Sequence, residues 1–168
     1  FDFIEKDSFV LLYKAMVRPH IEYGNIIWYP HLKKDSDMVE KVQRRATKLI
    51  PELKELTYVE RLKKIKLPSL VHRRRRGDMI QTFKIIGGLE DIPADRFFTV
   101  SNSTSTRGHS LKIEKPRCNT SARLHHFSQR IINDWNALPE SVVQAKDVND
   151  FKSKLDKYWN RDDEMYVY

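Results

Sequence analysis

The sequence predicts a mainly α-helical protein, in which a helical bundle is followed by a smaller helical segment across a loop-rich connection that can hold a short β-hairpin. Three observations indicate this fold class. Apolar residues recur at three- and four-residue spacing over most of the chain, residues that favour helix caps precede several of these stretches, and proline or glycine ends them. With 168 residues, 40% of them hydrophobic, the chain can bury one sizeable core or two small ones.

The first element is an apolar helix that Ser8 can cap and that runs to about Val17. Pro19 removes a backbone amide and restricts Arg18, so we expect a kink or break there. The following segment, 20–29, is too apolar to lie open to water. We expect it to pack as a core hairpin or against another part of a longer protein.

The next helix is basic along one flank. Asp35 or Ser36 is its expected cap. An apolar stripe at helical spacing predicts its buried face, which consists of Met38, Val42, Ala46 and Leu49. The cations fall largely off that stripe and form an exposed basic flank: Lys41, Arg44, Arg45 and Lys48.

Two more helices carry clear start and stop signals. Thr57 and Glu60 stand at the spacing of a capping box, so a short helix follows them through about Ile65. Ser69 caps a longer helix, which Gly87-Gly88 closes.

The pattern changes after residue 88. Extended pieces at 97–100 and 111–113 could pair weakly across a polar loop. Helical signals return over 121–136, then in a short helix after Pro139, and again in a last helix that Asp147 or Asn149 caps. The predicted division is a basic helical region, a loop-rich connection, a C-terminal helical segment and a disordered tail, at residues 1–88, 89–120, 121–160 and 161–168.

Positive charge is concentrated in one part of the chain. Residues 41–84 hold 14 Lys or Arg and 4 Asp or Glu, whereas the whole chain holds 31 and 23, a net charge of +8. This segment therefore contains the whole positive excess, which is the electrostatic footprint of a protein that binds a polyanion. A solvated helix face is the simpler alternative. The candidate phosphate contacts are Lys41, Arg44, Arg45, Lys48, Arg61, Lys63, Lys64, Arg73 and Arg76.

The run Arg73 to Arg76 cannot meet one ligand as a whole, because consecutive helical residues point about 100° apart. Arg73 and Arg76 share a face and remain candidates. We expect one of the other two to pair with an acid such as Asp78 or Glu60.

Signals for catalysis, metals and membranes are weak. The single cysteine, Cys118, excludes an internal disulfide and a multi-cysteine zinc site, and it suits a reducing, intracellular compartment. Its spacing to His125 and His126 fits no zinc finger or knuckle. No apolar run approaches the roughly 20 residues that a membrane span needs. We therefore expect no catalytic residue, no cofactor, no metal and no membrane contact in this chain.

A series of motifs resembles a known family. The stretch LLYKAMVRPHIEYGNIIWYP at 11–30 is followed by KVQRRAT at 41–47, LTYVERL at 56–62, RRRGDMIQTFK at 74–84 and NDWNALP at 133–139. In this order they resemble the region after the polymerase palm in reverse transcriptases of LINE-type (non-LTR) retrotransposons, nearest the chicken-repeat and jockey-like groups. The resemblance covers about residues 9–159.

The resemblance implies the thumb and C-terminal region of an RNA-directed DNA polymerase that performs target-primed reverse transcription. The family's palm holds Mg²⁺ with a Phe/Tyr-x-Asp-Asp turn that has no counterpart here, so we expect the chain to be inactive alone. The implied partners are RNA, DNA or an RNA–DNA hybrid, together with the palm and endonuclease of the same polyprotein. The implied localisation is the nucleus and cytoplasm.

Two other functions remain open. A helical protein-interaction adaptor that does not bind nucleic acid would expose apolar residues such as Trp28 and Tyr29. A small hydrolase would require His109, His125 and His126 to converge.

Overall fold

The computed structural model describes residues 5–101, 108–159 and 163–168, and these residues are mainly α-helical, which confirms the predicted fold class. The chain forms two compact units, one from residues 1–74 and 162–168 and the other from residues 75–161. The sequence predicts a division at residue 88 instead. The difference arises within one long helix, whose first residues belong to the first unit and whose remainder belongs to the second.

The first unit is built from helices joined by short 3₁₀ turns. Its 3₁₀ turns are Thr47–Leu49, Pro51–Leu53 and Asp163–Tyr166. Its helices are α1 (Lys6–Leu12), α2 (Arg18–Glu22), α3 (Lys33–Ala46), α4 (Tyr58–Ile65) and the start of α5 (Leu70–Ile86).

The second unit contains the rest of α5, a 3₁₀ turn at Ala94–Arg96 and five shorter helices. These are α6 (Ser121–Leu124), α7 (Phe127–Arg130), α8 (Ile132–Asn136), α9 (Glu140–Val143) and α10 (Val148–Trp159). The expected hairpin is reduced to an isolated antiparallel bridge between Val100 and Ile113. The polar loop expected between them falls largely at 102–107, outside the described residues.

Pro19 does not break the first helix, contrary to the expected kink or break. A π-helical turn, Tyr13–Val17, connects α1 to α2, and the amide of Arg18 donates to the carbonyl of Tyr13. The wider turn removes the need for an amide donor at Pro19. Helical backbone therefore continues through the proline.

The core of the first unit gathers apolar side chains from α1, the 3₁₀ turns and α4. Phe9 and Tyr13 stack with ring centroids 5.8 Å apart. Leu53 and Leu62 are fully buried beside them. The capping box of Thr57 and Glu60 that starts α4 is present as predicted.

The core of the second unit is centred on Trp135 and Phe151, both fully buried. Phe83 stacks on Phe151 with a centroid distance of 4.3 Å. The side-chain amide of Asn136 accepts from the amide of Ile113 at 2.9 Å and donates to its carbonyl at 2.8 Å, which extends the short bridge.

The single helix expected over 121–136 is three short helices. The side chain of His126 accepts a hydrogen bond from the amide of Ser128 and caps α7, which restarts the helix after α6. The turn places Phe127 and Ile131 in the core, whereas Leu124 stays exposed.

The end of the chain is placed against the first unit, where the sequence predicts a disordered tail over 161–168. Ser69 donates its amide to the carbonyl of Met165 and its hydroxyl to the carbonyl of Val167, at 2.9 and 2.7 Å. Residues 160–162 lie outside the described residues.

Candidate nucleic-acid interface

The buried face of α3 is polar, contrary to the predicted apolar stripe. Glu40, Gln43 and Thr47 are fully buried. The predicted stripe lies outside instead, with Met38 64% and Leu49 63% exposed. The helix is therefore rotated relative to the orientation that its apolar spacing predicts.

A hydrogen-bonded chain explains this orientation. Tyr13 donates its hydroxyl to Gln43 Oε1 at 2.8 Å, and Gln43 Nε2 donates to the hydroxyl of Tyr58 at 3.1 Å. Tyr58 donates in turn to Glu40 Oε1 at 2.5 Å, and the amide of Leu70 donates to Glu40 Oε2 at 3.0 Å. Each buried polar group thus has a partner, which offsets the cost of its desolvation. The partners come from α1, α4 and α5, so this network fixes how α3 sits in the unit.

The Glu40 carboxyl gives the network a pH dependence. Burial raises the pKa of Glu40 above its ordinary value, although the hydrogen bond from Tyr58 opposes this effect. A raised folded-state pKa means that the stabilising contribution of the protonated carboxyl is complete below its ordinary pKa and is lost as pH rises through the folded-state value.

We therefore expect the stability of the native chain, measured relative to Glu40→Gln, to decline as pH rises from acidic to neutral, because the substituted glutamine does not ionise. Urea unfolding of both proteins over a pH series measures this difference. A difference that stays constant with pH would contradict a raised pKa at Glu40.

The outward face of α3 carries exposed cations. Lys41, Arg45 and Lys48 are exposed, and none has a hydrogen-bond or ion-pair partner among the residues that the structure describes. Their spacing of four and three residues puts them on one side of the helix, over about 10 Å of its axis. Lys64 of α4 is also exposed and unpaired within the described ranges. These four side chains, which we call the free cations, are available to a solvent-borne polyanion.

Two other candidates are in contact with aromatic rings. The guanidinium of Arg44 lies 5.1 Å from the ring centroid of Tyr58 and 4.7 Å from that of Tyr168. The amine of Lys63 lies 5.7 Å from the ring of Tyr166. Contacts of this length hold a cation by attraction to the ring face. Arg44 and Lys63 therefore lie partly covered.

Arg61 is a structural residue. It is 3% exposed, its Nε donates to Thr47 Oγ1 at 3.1 Å and its Nη1 donates to the carbonyl of Leu56 at 2.9 Å. Burial lowers the pKa of its guanidinium. The side chain ties α4 to the end of α3 and is not presented to solvent.

The arginine run Arg73 to Arg76 is occupied in intramolecular contacts within the two units. In the first unit, Arg73 forms a two-point ion pair with Glu22, and the Nη2 of Arg74 donates to Ser36. In the second unit, Arg75 pairs with Asp134 and Arg76 with Asp156, each through two hydrogen bonds of 2.6 and 2.8 Å. The expected partners, Asp78 and Glu60, are not used in these pairs.

Arg74 is the buried residue that the sequence pattern did not single out. It is 2% exposed, its ring contact is Tyr29, and its Nε and Nη1 have no hydrogen-bond partner among the described residues. Burial lowers its pKa, and the charges of Tyr29 and Glu40 oppose that shift. Its only signal in the sequence is the excess of arginines over what one exposed helix face can use.

The histidines show no metal-binding arrangement in the part of the chain that the structure covers. The Nε2 of His109 lies 2.9 Å from the carbonyl oxygen of Trp135, and the Nδ1 of His126 lies 3.1 Å from the hydroxyl of Ser128. No group of three or more metal-ligating side chains occurs among the described residues. Within the same ranges, no helix is long and apolar enough to cross a membrane.

Comparison with known proteins adds no family or function. No protein-family model, curated protein or solved structure matches the chain.

Proposed function

We propose that the chain binds the phosphate backbone of nucleic acid through the free cations of the first unit, as the thumb-like part of a LINE-type reverse transcriptase would. The observation that carries the proposal is the contrast among cations. Arg61, Arg73 and Arg76 are engaged by the fold, whereas Lys41, Arg45, Lys48 and Lys64 are exposed without a carboxylate partner among the described residues. Unpaired cations gain affinity for phosphate by releasing condensed counterions, and this needs no base contact.

The family resemblance supports the kind of polyanion. It implies a template–primer duplex or element RNA as the ligand, held without strong base selection. The catalytic palm carboxylates that the family uses for polymerisation have no sequence counterpart here. The proposed role is therefore gripping the nucleic acid and not catalysis.

Fluorescence anisotropy with a short RNA–DNA hybrid, titrated at increasing salt, tests this proposal. Four phosphate contacts are expected to give a slope of log K against log salt of about −3, because each contact contributes about 0.7–0.9. Affinity in the micromolar range at low salt is expected for this purely backbone term. Absence of binding at low salt, or binding without salt dependence, would refute the proposal.

A protein-interaction adaptor is the second candidate, and one observation favours it. The outward face of α3 exposes Met38, Val42 and Leu49 beside the free cations, and Tyr23 and Ile27 are exposed after α2. A patch that combines apolar and basic side chains fits an acidic amphipathic helix of a partner protein. Replacing Met38, Val42 and Leu49 by Ser is expected to leave hybrid binding nearly unchanged if nucleic acid is the ligand. A large loss would show that the apolar residues belong to the binding surface.

A further inference from the structure

The segment Met165–Tyr168 lies on two cations that the sequence analysis assigned to the nucleic-acid site. The ring of Tyr168 lies on the guanidinium of Arg44 at 4.7 Å, and the ring of Tyr166 lies on the amine of Lys63 at 5.7 Å. Arg44 and Lys63 are the candidates on α3 and α4 that are solvent-facing in part yet not free. The covering groups come from within the chain and not from a neighbouring helix of the bundle.

Several independent contacts hold the segment in this position. Two hydrogen bonds from Ser69 and one from Lys33 Nζ to the backbone oxygen of Tyr168, at 2.9 Å, fix its main chain. The ring of Tyr168 also meets that of Tyr58 edge-to-face, with centroids 5.1 Å apart. Tyr166 and Tyr168 pack against the core of the first unit and are only half-buried.

These contacts are individually weak and can be displaced. A cation lying on a partly exposed ring is held far less strongly than one that is fully desolvated against the ring face. A phosphate that binds the same cation competes with the ring for it, and its advantage grows as salt falls because counterion release is salt-dependent.

We propose that Met165–Tyr168 is an internal cover that competes with the nucleic-acid backbone for Arg44 and Lys63. The proposal rests on the proposed function and specifies how the same surface is regulated. With the cover in place, the surface offers the free cations alone. When the cover is displaced, two more cations join them.

The test compares hybrid binding by the native chain with binding by the double variant Tyr166→Ser and Tyr168→Ser. These substitutions remove the rings and keep the backbone hydrogen bonds. Uncovering two cations is expected to steepen the salt slope by about 1.5 and to raise affinity roughly five- to eightfold per contact at 0.1 M salt. Val167→Ser is the matched control, because its side chain is exposed in the same segment, and it is expected to bind like the native chain.

The outcomes separate this proposal from the proposed function. Binding by the native chain with an unchanged slope in the double variant would overturn the cover alone. Absence of binding by every form at low salt would overturn both.

A second measurement uses the unaltered protein and so does not depend on how the double variant folds. The amide of Ser69 is bonded to Met165, so hydrogen exchange at Ser69 is expected to accelerate when saturating hybrid displaces the cover. Exchange that is unchanged or slower in the complex would overturn the cover.

Discussion

Asp78→Ala is expected to destabilise the protein by about 3–5 kcal/mol, because it leaves a buried arginine without its counter-charge. Arg130 donates from Nε and Nη2 to the two carboxylate oxygens of Asp78, both at 2.9 Å. The side chains of the pair are only 10% and 4% exposed. Since small domains are stable by about 5–15 kcal/mol, the loss is a large share of the total. Urea unfolding followed by circular dichroism measures it.

Two further variants sharpen this test. Asp156→Ala removes the partner of Arg76 at a site where the carboxylate is 41% exposed, so a loss of only about 0–1 kcal/mol is expected. Adding Arg130→Met to Asp78→Ala removes the unpaired charge and is expected to recover part of the stability. Equal, small losses from Asp78→Ala and Asp156→Ala would contradict the assignment of Asp78–Arg130 as a buried pair.

The second large effect concerns hybrid binding. Replacing the four free cations together, as Lys41→Ala, Arg45→Ala, Lys48→Ala and Lys64→Ala, is expected to lower affinity about 1,000-fold at 0.1 M salt and to abolish most of the salt slope. Stability is expected to change little, because exposed substitutions away from structural contacts usually fall within about 0.5 kcal/mol.

A matched variant controls for the lost net charge. Arg96, Arg117, Arg123 and Lys157 are exposed cations of the second unit, and their replacement by Ala removes the same charge. This control is expected to retain most of the affinity and the slope. Equal losses from both variants would mean that net charge, and not the first-unit surface, governs binding.

Local signals in the sequence predicted helix ends well. The capping box at Thr57 and Glu60 is present, Ser69 Oγ accepts from the amide of His72, and Gly88 adopts a φ of +65° after α5. Each of these signals depends on residues within one turn of each other. The helix limits of α4 and α5 were predictable for that reason.

The orientation of α3 was not predictable from its own residues. Its apolar spacing points one way, but the hydrogen bonds of Glu40 and Gln43 point the other. Their partners, Tyr58 and Leu70, are distant in sequence, so no local pattern announces them. Polar satisfaction across the unit decided which face of α3 is buried.

The arginine run shows the same limit for the candidate site. A basic run predicts a polyanion only when its charges are unpaired, and the acids that pair with Arg73, Arg75 and Arg76 come from elements far along the chain. The sequence could indicate that four adjacent arginines cannot share one ligand. It could not identify Glu22, Asp134 and Asp156 as their partners.

The location of the nucleic-acid surface is tested most directly by chemical-shift mapping of the ¹⁵N-labelled protein during titration with an RNA–DNA hybrid at low salt. We expect the shifts to centre on residues 41–48 of α3 and around Lys64, with little change near Arg117 and Arg123. Shifts confined to the second unit, or no shifts at all, would contradict binding through the free cations.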